Sequence, residues 1–272
     1  MRAVTLDQAT AEQEFGGKAV NLGEAVRAGL PVPSGCAIDV EMVEAVRDGA
    51  AWAKDAVAHA LDFLGGRVAV RSSAVGEDAA DASFAGQHLT ILNVTSPDEA
   101  FDSVRRIRDS AHTDTAGAYR RQRGIGGAPR MAVVMQALLS PDAAGVLFTR
   151  NPVTGADERV IEASWGLGEA VVGGLVVPDV YRIDRRGAIL EATPGEKHMA
   201  FRPLAEGGLR EETLDAGAAE SLCLTPADLA ALNDLAARCE EVYGPDLDIE
   251  WVVASGRAYL LQVRPITTRA AA

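Results

Sequence analysis

The pattern of apolar and polar positions in the first part of the chain predicts helices joined to short strands. Two glycines at 16–17 form a turn that opens a helix of about three turns. Gly29 and Pro31 end that helix, because glycine favours a C-terminal cap and proline cannot continue a helix. An alanine-rich stretch over 40–64 predicts a second helix, and residues 67–73 alternate like a strand.

The next segment predicts one more strand and one more helix before a change of pattern. A tight glycine loop at 83–88 is expected to lead into a strand over 89–94. Ser96 and Pro97 mark a helix start, because serine caps the first turn and proline fits the first helical position. This helix should end before the glycine-rich stretch 124–127, which is a predicted boundary between two lobes.

Beyond this boundary the spacing of apolar residues becomes strand-like, with glycine, proline and asparagine between the runs. Thr225 begins a last helix, whose apolar side chains recur on one face. Strands are expected at 131–139, 145–149, 159–163, 177–184, 247–254 and 258–264.

Composition and charge limit the class of protein. Of 272 residues, 48% are hydrophobic and 24% charged, as in ordinary globular proteins, so intrinsic disorder is excluded. The 26 basic and 39 acidic side chains give a net charge of −13, which disfavours binding to nucleic-acid phosphates. No apolar run is long enough to cross a membrane, and acids stand where a signal peptide would be basic. We therefore expect a cytoplasmic protein that binds neither nucleic acid nor membrane.

Four polar residues on the last two predicted strands form the most informative motif in the sequence. Asp248 and Glu250 lie two apart on one strand, so both point to one face of the sheet. Gln262 and Arg264 have the same spacing on the next strand. A three-residue loop at 255–257 would place Glu250 opposite Gln262 and the other two opposite each other. A two-residue loop would instead separate the two pairs.

Two carboxylates and an amide oxygen on one face suit a hard cation such as Mg²⁺, which prefers oxygen ligands. Arg264 beside them could hold a phosphate oxygen through two hydrogen bonds. The alternative is a solvated polar face with charge pairing across the strands. Spacing alone does not decide between these interpretations.

Four further segments could contact a phosphorylated ligand. Lys18 follows two glycines at a helix start, where N–H groups and an ammonium can face an anion, although the Walker A pattern is absent. Arg71 ends an apolar strand, and residues 83–86 could close over phosphates. The ordinary alternatives are a solvated lysine, an ion pair with an acid such as Glu77, and a plain turn. The glycines at 165–169 could let backbone approach a ligand, but a lone glycine pair carries little weight.

Taken together, these segments resemble the ATP-binding domain of the family of pyruvate phosphate dikinase, phosphoenolpyruvate synthase and rifampin phosphotransferase. Five blocks follow the family's order over almost the whole chain. They are GGKAVNLGEAVRAGLPVPSG (16–35), VAVRSSAVGEDAADASFAGQ (68–87), AAGVLFTRNPVTG (143–155), IEASWGLGEAVVGGLVVPDVY (161–181) and DIEWVVASGRAYLLQVRPIT (248–267). The joint resemblance favours the functional interpretation of each segment over its alternative.

The resemblance implies an α+β, ATP-grasp fold of two lobes with ATP and Mg²⁺ held between their sheets. With the glycine-rich boundary, it predicts lobes at 1–127 and 128–268 and a short tail at 269–272. The span 33–68 is shorter than is usual in the family, so part of the first lobe is expected to be trimmed.

The resemblance also implies roles for single residues. Mg²⁺ would be held by Asp248, Glu250 and Gln262, and ATP phosphates by the candidate catalytic residues Lys18, Arg71 and Arg264. A loop containing Gly86 and Gln87 would cover the phosphates. Nucleotide contacts are also expected from Gln136, Ala137, Leu138 and Leu139 at the adenine, and from Glu169.

The chain stops where members of the family continue into a swivelling domain that carries a phosphorylated histidine. The resemblance therefore implies an ATP-dependent phosphotransferase module that donates a phosphoryl group to a histidine on a separate carrier domain or protein. One alternative is a stand-alone kinase or ligase that acts on a small acceptor. Another is a nucleotide-binding module without catalysis.

Overall fold

The computed structural model describes residues 2–76, 89–112 and 129–266. The helices of this part are α1 Glu12–Arg27, α2 Val40–Arg47, α3 Ala51–Phe63, α4 Pro97–Ser110, α5 Glu169–Val172, α6 Ala216–Glu220 and α7 Pro226–Tyr243, with a 3-10 helix at Leu6–Gln8. Its strands are β1 Ala3–Thr5, β2 Gly35–Ile38, β3 Val68–Ala74, β4 Thr90–Val94, β5 Met131–Ala137, β6 Ala143–Phe148, β7 Arg159–Trp165, β8 Asp179–Ile183, β9 Ile189–Thr193, β10 Met199–Pro203, β11 Leu209–Thr213, β12 Leu247–Ala254 and β13 Arg257–Pro265. The α+β class is confirmed.

The chain divides into two compact units, each with its own sheet. Unit 1 comprises Met1–Arg27, Pro33–Leu138 and Leu204–Gly208, and unit 2 comprises Ala28–Val32, Leu139–Pro203 and Leu209–Ala272. The predicted boundary at residue 127 lies outside the described residues, so it stays a prediction. Strand β5 lies in the sheet of unit 1, although it follows that boundary.

Unit 1 is built on an antiparallel sheet with the strand order β1-β2-β5-β3-β4. Helices α2, α3 and α4 supply the apolar side chains that cover one face of this sheet. The predicted start of α4 is confirmed, because the Ser96 hydroxyl accepts a hydrogen bond from the backbone N–H of Glu99. The single helix predicted over 40–64 is wrong. Gly49, with φ of 73°, adopts the left-handed conformation that ends α2 before α3 begins.

The segment that connects β10 to β11 belongs to unit 1, where a buried asparagine binds it through two hydrogen bonds. Asn93 Nδ2 donates hydrogen bonds to the carbonyl oxygens of Leu204 and Gly208. The backbone N–H of Gly208 donates in return to the carbonyl of Asn93. Asn93 is fully buried and has φ of 57°, a left-handed conformation that asparagine tolerates better than most residues.

Unit 2 is built on an antiparallel sheet with the strand order β13-β12-β6-β7-β8-β9, beside a two-stranded β10-β11 sheet. Helix α7 packs on β12 and β13, and begins with the predicted Thr225 cap, which forms a capping box with Asp228. The face of α7 toward the sheet buries Leu229, Leu232, Leu235, Ala236 and Cys239.

Unit 2 also encloses a fully buried ion pair between Lys197 and Asp179. One carboxylate oxygen of Asp179 accepts from Lys197 Nζ and, at 2.8 Å, from the backbone N–H of Gly195. The other oxygen accepts from the backbone N–H of Cys223 at 2.7 Å. The pair thus joins the start of β8 to the turn before β10 and to the segment before α7.

Candidate functional site

The hairpin that carries the four polar residues closes through two residues. Ala254 pairs with Arg257, which leaves Ser255 and Gly256 as the turn, with φ of 51° and 71°. Positive φ at both central positions is typical of the type I′ turn, whose twist matches that of the flanking strands. The three-residue loop considered from the sequence is therefore not formed.

A two-residue turn alone would not place Glu250 opposite Gln262. A β-bulge in β13 compensates for the short turn and produces this pairing. Trp251 pairs with Leu260, whereas the next residue toward the start of β12, Glu250, pairs with Gln262. Leu261 is therefore the extra residue, and it shifts the remainder of β13 by one position. The glutamine and glutamate therefore lie side by side on one face, which is the arrangement that the sequence analysis expected only from a three-residue loop.

Beyond the bulge, Asp248 lies opposite Arg264 and contacts it directly. Arg264 Nε and Nη2 each lie 2.8 Å from the same carboxylate oxygen of Asp248. Burial raises the pKa of Asp248, as does the like charge of Glu250, while Arg264 lowers it. The side chain of Arg264 is 57% exposed, so its guanidinium is accessible to a ligand while Asp248 fixes its orientation.

A third acid, which sequence reasoning missed, lies on the same face. Glu250 pairs with Val146 of β6, and Val146 pairs with Glu162 of β7. Directly opposite residues point to one face, so Gln262, Glu250 and Glu162 form a row across the sheet. Burial raises the pKa of Glu162, and the nearby charge of Asp248 adds to this effect. The signal in the sequence was a single acid inside an apolar strand.

Glu169 is the first residue of helix α5, which approaches the same face. A Cβ placed on the preceding residue, Gly168, would lie 3.8 Å from the Cβ of Ala144. Ala144 is two residues from Val146 on β6, so it points to the face that carries Glu162. Unit 2 therefore places four of its five predicted polar site residues on one sheet face, and places helix α5, which begins with Glu169, beside that face.

The oxygen ligands that unit 2 offers suit a hard cation, which could also bind the phosphates of a ligand in this unit. Asp248, Glu250 and Gln262 offer two carboxylates and one amide oxygen, which are the ligand types of Mg²⁺. Within the ranges described, no group of three or more His, Cys, Asp or Glu side chains could hold a metal ion by itself. Mg²⁺ usually takes one or two carboxylates and completes its shell with water and phosphate.

In unit 1, Lys18 lies beside the end of β3. Its Nζ donates a hydrogen bond of 2.7 Å to the carbonyl oxygen of Ser72. The Ser73 hydroxyl donates to the carbonyl of Phe15 and accepts from the backbone N–H of Ala19, which ties the two predicted phosphate segments together. A glycine is required in this turn, because a Cβ at residue 16 would lie 2.1 Å from the carbonyl oxygen of Ser73. The turn predicted at 16–17 is thus confirmed, although α1 begins earlier, at Glu12.

Arg71 is buried on β3, one residue before the carbonyl that accepts from Lys18. It pairs with Thr90 of β4 and Val134 of β5. The structure therefore places Lys18 and Arg71, the two side chains of unit 1 predicted to bind phosphate, near the same stretch of β3.

Three of the four residues in the predicted adenine segment donate a hydrogen bond within unit 1. Gln136 is buried, and its side-chain amide donates to the carbonyl of Pro33 at 3.3 Å. The backbone N–H of Ala137 donates to Ser34, and that of Leu138 donates to Arg67. Leu139 is half-buried and belongs to unit 2. Gly86 and Gln87 lie outside the described residues.

Comparison with known proteins identifies the class. Residues 41–272 match the family described as pyruvate phosphate dikinase, AMP/ATP-binding domain. The chain belongs to this family, and the resemblance seen in the sequence is confirmed.

Three relatives of this chain are longer proteins, and the chain matches only a part of each. It is 35% identical to a probable phosphoenolpyruvate synthase of Methanothermobacter thermautotrophicus, over 93% of this chain and 44% of that protein. It is 42% identical to a rifampicin phosphotransferase of Streptomyces sviceus, over 78% of this chain and 25% of that protein. It is 36% identical to the prodigiosin synthesizing transferase PigC of Serratia marcescens, over 97% of this chain and 33% of that protein. The chain thus spans less than half the length of each.

None of the helices in the part of the chain that the structure describes is both long and apolar enough to span a bilayer. Cys36, Cys223 and Cys239 are buried free thiols.

Proposed function

We propose that this chain is the Mg-ATP-binding module of a phosphotransferase. The observation that carries the proposal is the polar face of the β12–β13 hairpin. There Glu250 lies opposite Gln262, and Asp248 contacts Arg264. The family to which the chain belongs is described by AMP/ATP binding, which supports a nucleotide as the ligand for this face.

Asp248, Glu250 and Gln262 are the residues that would hold Mg²⁺. When bound, Mg²⁺ neutralises phosphate charge and orients the phosphates for transfer. Glu250 and Gln262 are direct neighbours across the two strands, so one ion can contact both. Asp248 has a second task, because it also holds the guanidinium of Arg264.

Three cations would stabilise the charge on the nucleotide. Arg264 presents a planar guanidinium whose orientation is set by Asp248, which suits contact with a phosphate. In unit 1, the Lys18 ammonium is held by the carbonyl of Ser72, one residue beyond Arg71. Phosphoryl transfer depends mainly on such positioning and charge neutralisation.

The acceptor in this proposal is a histidine on a separate carrier domain or protein. Of the two phosphoryl groups removed from ATP, one would be transferred to that histidine and the other to water, so that AMP and inorganic phosphate are released. Support comes from the relatives, which share this domain within much longer chains.

Nucleotide product analysis tests the proposal. The purified chain and Mg-ATP are incubated alone, with the desalted protein fraction of its source cells, and with the small metabolites of that fraction. We expect AMP and phosphate, formed only with the protein fraction. ADP formed with small metabolites would instead support a stand-alone kinase or ligase, and would overturn the carrier histidine.

Matched variants tie the products to the proposed face. Glu250→Ala and Gln262→Ala should abolish turnover of Mg-ATP. Glu211→Ala, at an exposed position on β11, should leave it unchanged. Normal turnover by the first two variants would show that the metal assignment is wrong.

A further inference from the structure

Helix α1 is interrupted at Gly16, where φ is 73° and ψ is 166°. In an uninterrupted α-helix each N–H donates to the carbonyl four residues earlier, so the N–H of Ala19 would donate to Phe15. Here each of these two groups bonds to the Ser73 hydroxyl. The N–H of Ala19 donates to Ser73 Oγ at 3.0 Å, and the hydroxyl donates to the carbonyl of Phe15 at 2.8 Å. The hydroxyl thus links the two groups that such a helix joins directly.

Ser73 caps the segment of α1 that follows the interruption. This segment begins at Gly17, so Ala19 is its third residue. In an ordinary N-cap, the residue before the helix accepts from the N–H of the second or third helical residue. Gly16 has no side chain, and a Cβ there would lie 2.1 Å from the carbonyl oxygen of Ser73 and 2.6 Å from its Oγ. The cap therefore comes from strand β3 rather than from the preceding residue.

The capped segment carries Lys18. This lysine is only 5% exposed, and its Nζ donates to the carbonyl of Ser72 at 2.7 Å. Ser72 and Ser73 are successive residues of β3, so one short stretch of strand holds both the ammonium and the helix start. Lysine is a point charge on a flexible stem, so the place of its ammonium depends on the backbone that carries it.

Gly16 gives α1 access to a second conformation. Glycine adopts positive and negative φ about equally well, so residue 16 can also be helical. Without the Ser73 hydroxyl, the N–H of Ala19 could donate to the carbonyl of Phe15 in a continuous helix. The first segment would stay in place, because Glu12 Oε1 accepts from the backbone N–H of Gly76 at 2.9 Å. The second segment would therefore have to turn, and its lysine would leave β3.

We propose that Ser73 is a positioning residue that keeps Lys18 in place for the phosphates of the nucleotide. The inference rests on the proposed function, because the contact between Lys18 and phosphate is part of that function. Ser73 is fully buried, so it acts through the lysine rather than by touching the ligand.

Nuclear magnetic resonance of the lysine side chains tests the positioning directly. The chain contains three lysines, Lys18, Lys54 and Lys197, so lysine labelled with ¹³C at Cε gives few signals. Lys18→Arg and Lys54→Arg assign two of them. In the absence of nucleotide, we expect Ser73→Ala to shift the Lys18 signal and to leave the Lys54 signal unchanged. An unchanged Lys18 signal would overturn the inference, whatever the chain binds.

Equilibrium dialysis of radiolabelled β,γ-imido-ATP with Mg²⁺ tests whether Ser73 acts through Lys18. We expect Ser73→Ala to weaken binding by about tenfold, the effect of losing one hydrogen bond to a charged group. In a Lys18→Met background the same change should have no further effect, whereas independent effects would add. Additive losses would overturn the inference. A wild-type chain that binds no analogue would overturn the proposed function, and the Lys18 signal would still decide the positioning.

Ser96→Ala is the matched control, because it removes the serine hydroxyl that caps α4 in the same unit. It should lower the urea midpoint but change neither the Lys18 signal nor the binding of the analogue. An equal shift of the Lys18 signal in this control would overturn the inference. If Ser73→Ala does not fold, Ser73→Cys replaces it, because a thiol of similar size forms only weak hydrogen bonds. It should shift the Lys18 signal in the same way, and an unchanged signal would again count against the positioning.

Discussion

The buried pair of Lys197 and Asp179 makes a sharp prediction about stability. Replacing Lys197 by methionine keeps most of the side-chain volume but removes the ammonium. Asp179 would remain fully buried as a carboxylate, with the backbone N–H groups of Gly195 and Cys223 still donating to it.

The structure sets the size of the expected loss. Removal of one partner from a buried ion pair costs about 3–5 kcal/mol of unfolding free energy. Because two N–H donors remain on Asp179, we expect about 3 kcal/mol for Lys197→Met. Asp179→Asn should cost more, about 5 kcal/mol, because it leaves the ammonium uncompensated and turns an amide N–H toward a backbone donor. The double variant should lose at least about 2 kcal/mol less than the sum, since neither charge remains unpaired.

Urea unfolding followed by tryptophan fluorescence measures these differences. The chain has three tryptophans, of which Trp165 and Trp251 lie in unit 2 and Trp52 lies in unit 1. All variants are therefore made in a Trp52→Phe background, so that the signal reports unit 2. A loss below about 1 kcal/mol for Lys197→Met, or strict additivity in the double variant, would refute the buried ion pair.

Three further predictions concern the site and unit 1. Burial raises the pKa of Asp248, so protons compete with metal above the ordinary carboxyl range of about 4; Mn²⁺ affinity, measured with β,γ-imido-ATP, should therefore continue to rise with pH above that range. A flat profile would contradict this. Arg264→Lys should weaken nucleotide binding in equilibrium dialysis, because an ammonium cannot reproduce the planar contact that Asp248 now orients; unchanged affinity would remove Arg264 from the phosphate site. Asn93→Ala should lower the free energy of unfolding of unit 1 by about 2 kcal/mol, since two carbonyl groups lose their donor; an unchanged urea midpoint would show that water replaces the asparagine.

The polar hairpin shows what the sequence could and could not reveal. The two-residue spacing of Asp248 and Glu250, and of Gln262 and Arg264, was sufficient to place each pair on one face. The relation between the pairs depended on the turn and on the bulge at Leu261. A bulge adds one residue without a composition signal of its own, so the register could not be derived from the residues alone.

Other features could not be predicted from the sequence, because the residues that interact are far apart in the chain or because the segment is polar throughout. Glu162 is a single acid in β7, and only the strand order places it on the same sheet face as Glu250, with β6 between them. Lys197 is separated from Asp179 by the whole of β9, so their pairing follows from the fold. Strand β9 itself was missed, because all five of its residues are exposed and burial imposes no alternation on them.

The docking of residues 204–208 against Asn93 has a practical consequence for dissecting the chain. A gene fragment that stops after Leu138 would encode most of unit 1 but omit the Leu204 and Gly208 carbonyls. The buried Asn93 amide would then lose both acceptors, and Arg67 would lose the carbonyl of Ala205. Conversely, a fragment that begins at Leu139 would carry this hairpin tip without its binding site, and would lack the Pro31 carbonyl that accepts from Leu260 in β13. Experiments on single lobes should therefore start from a permuted or co-expressed design rather than from a cut between residues 138 and 139.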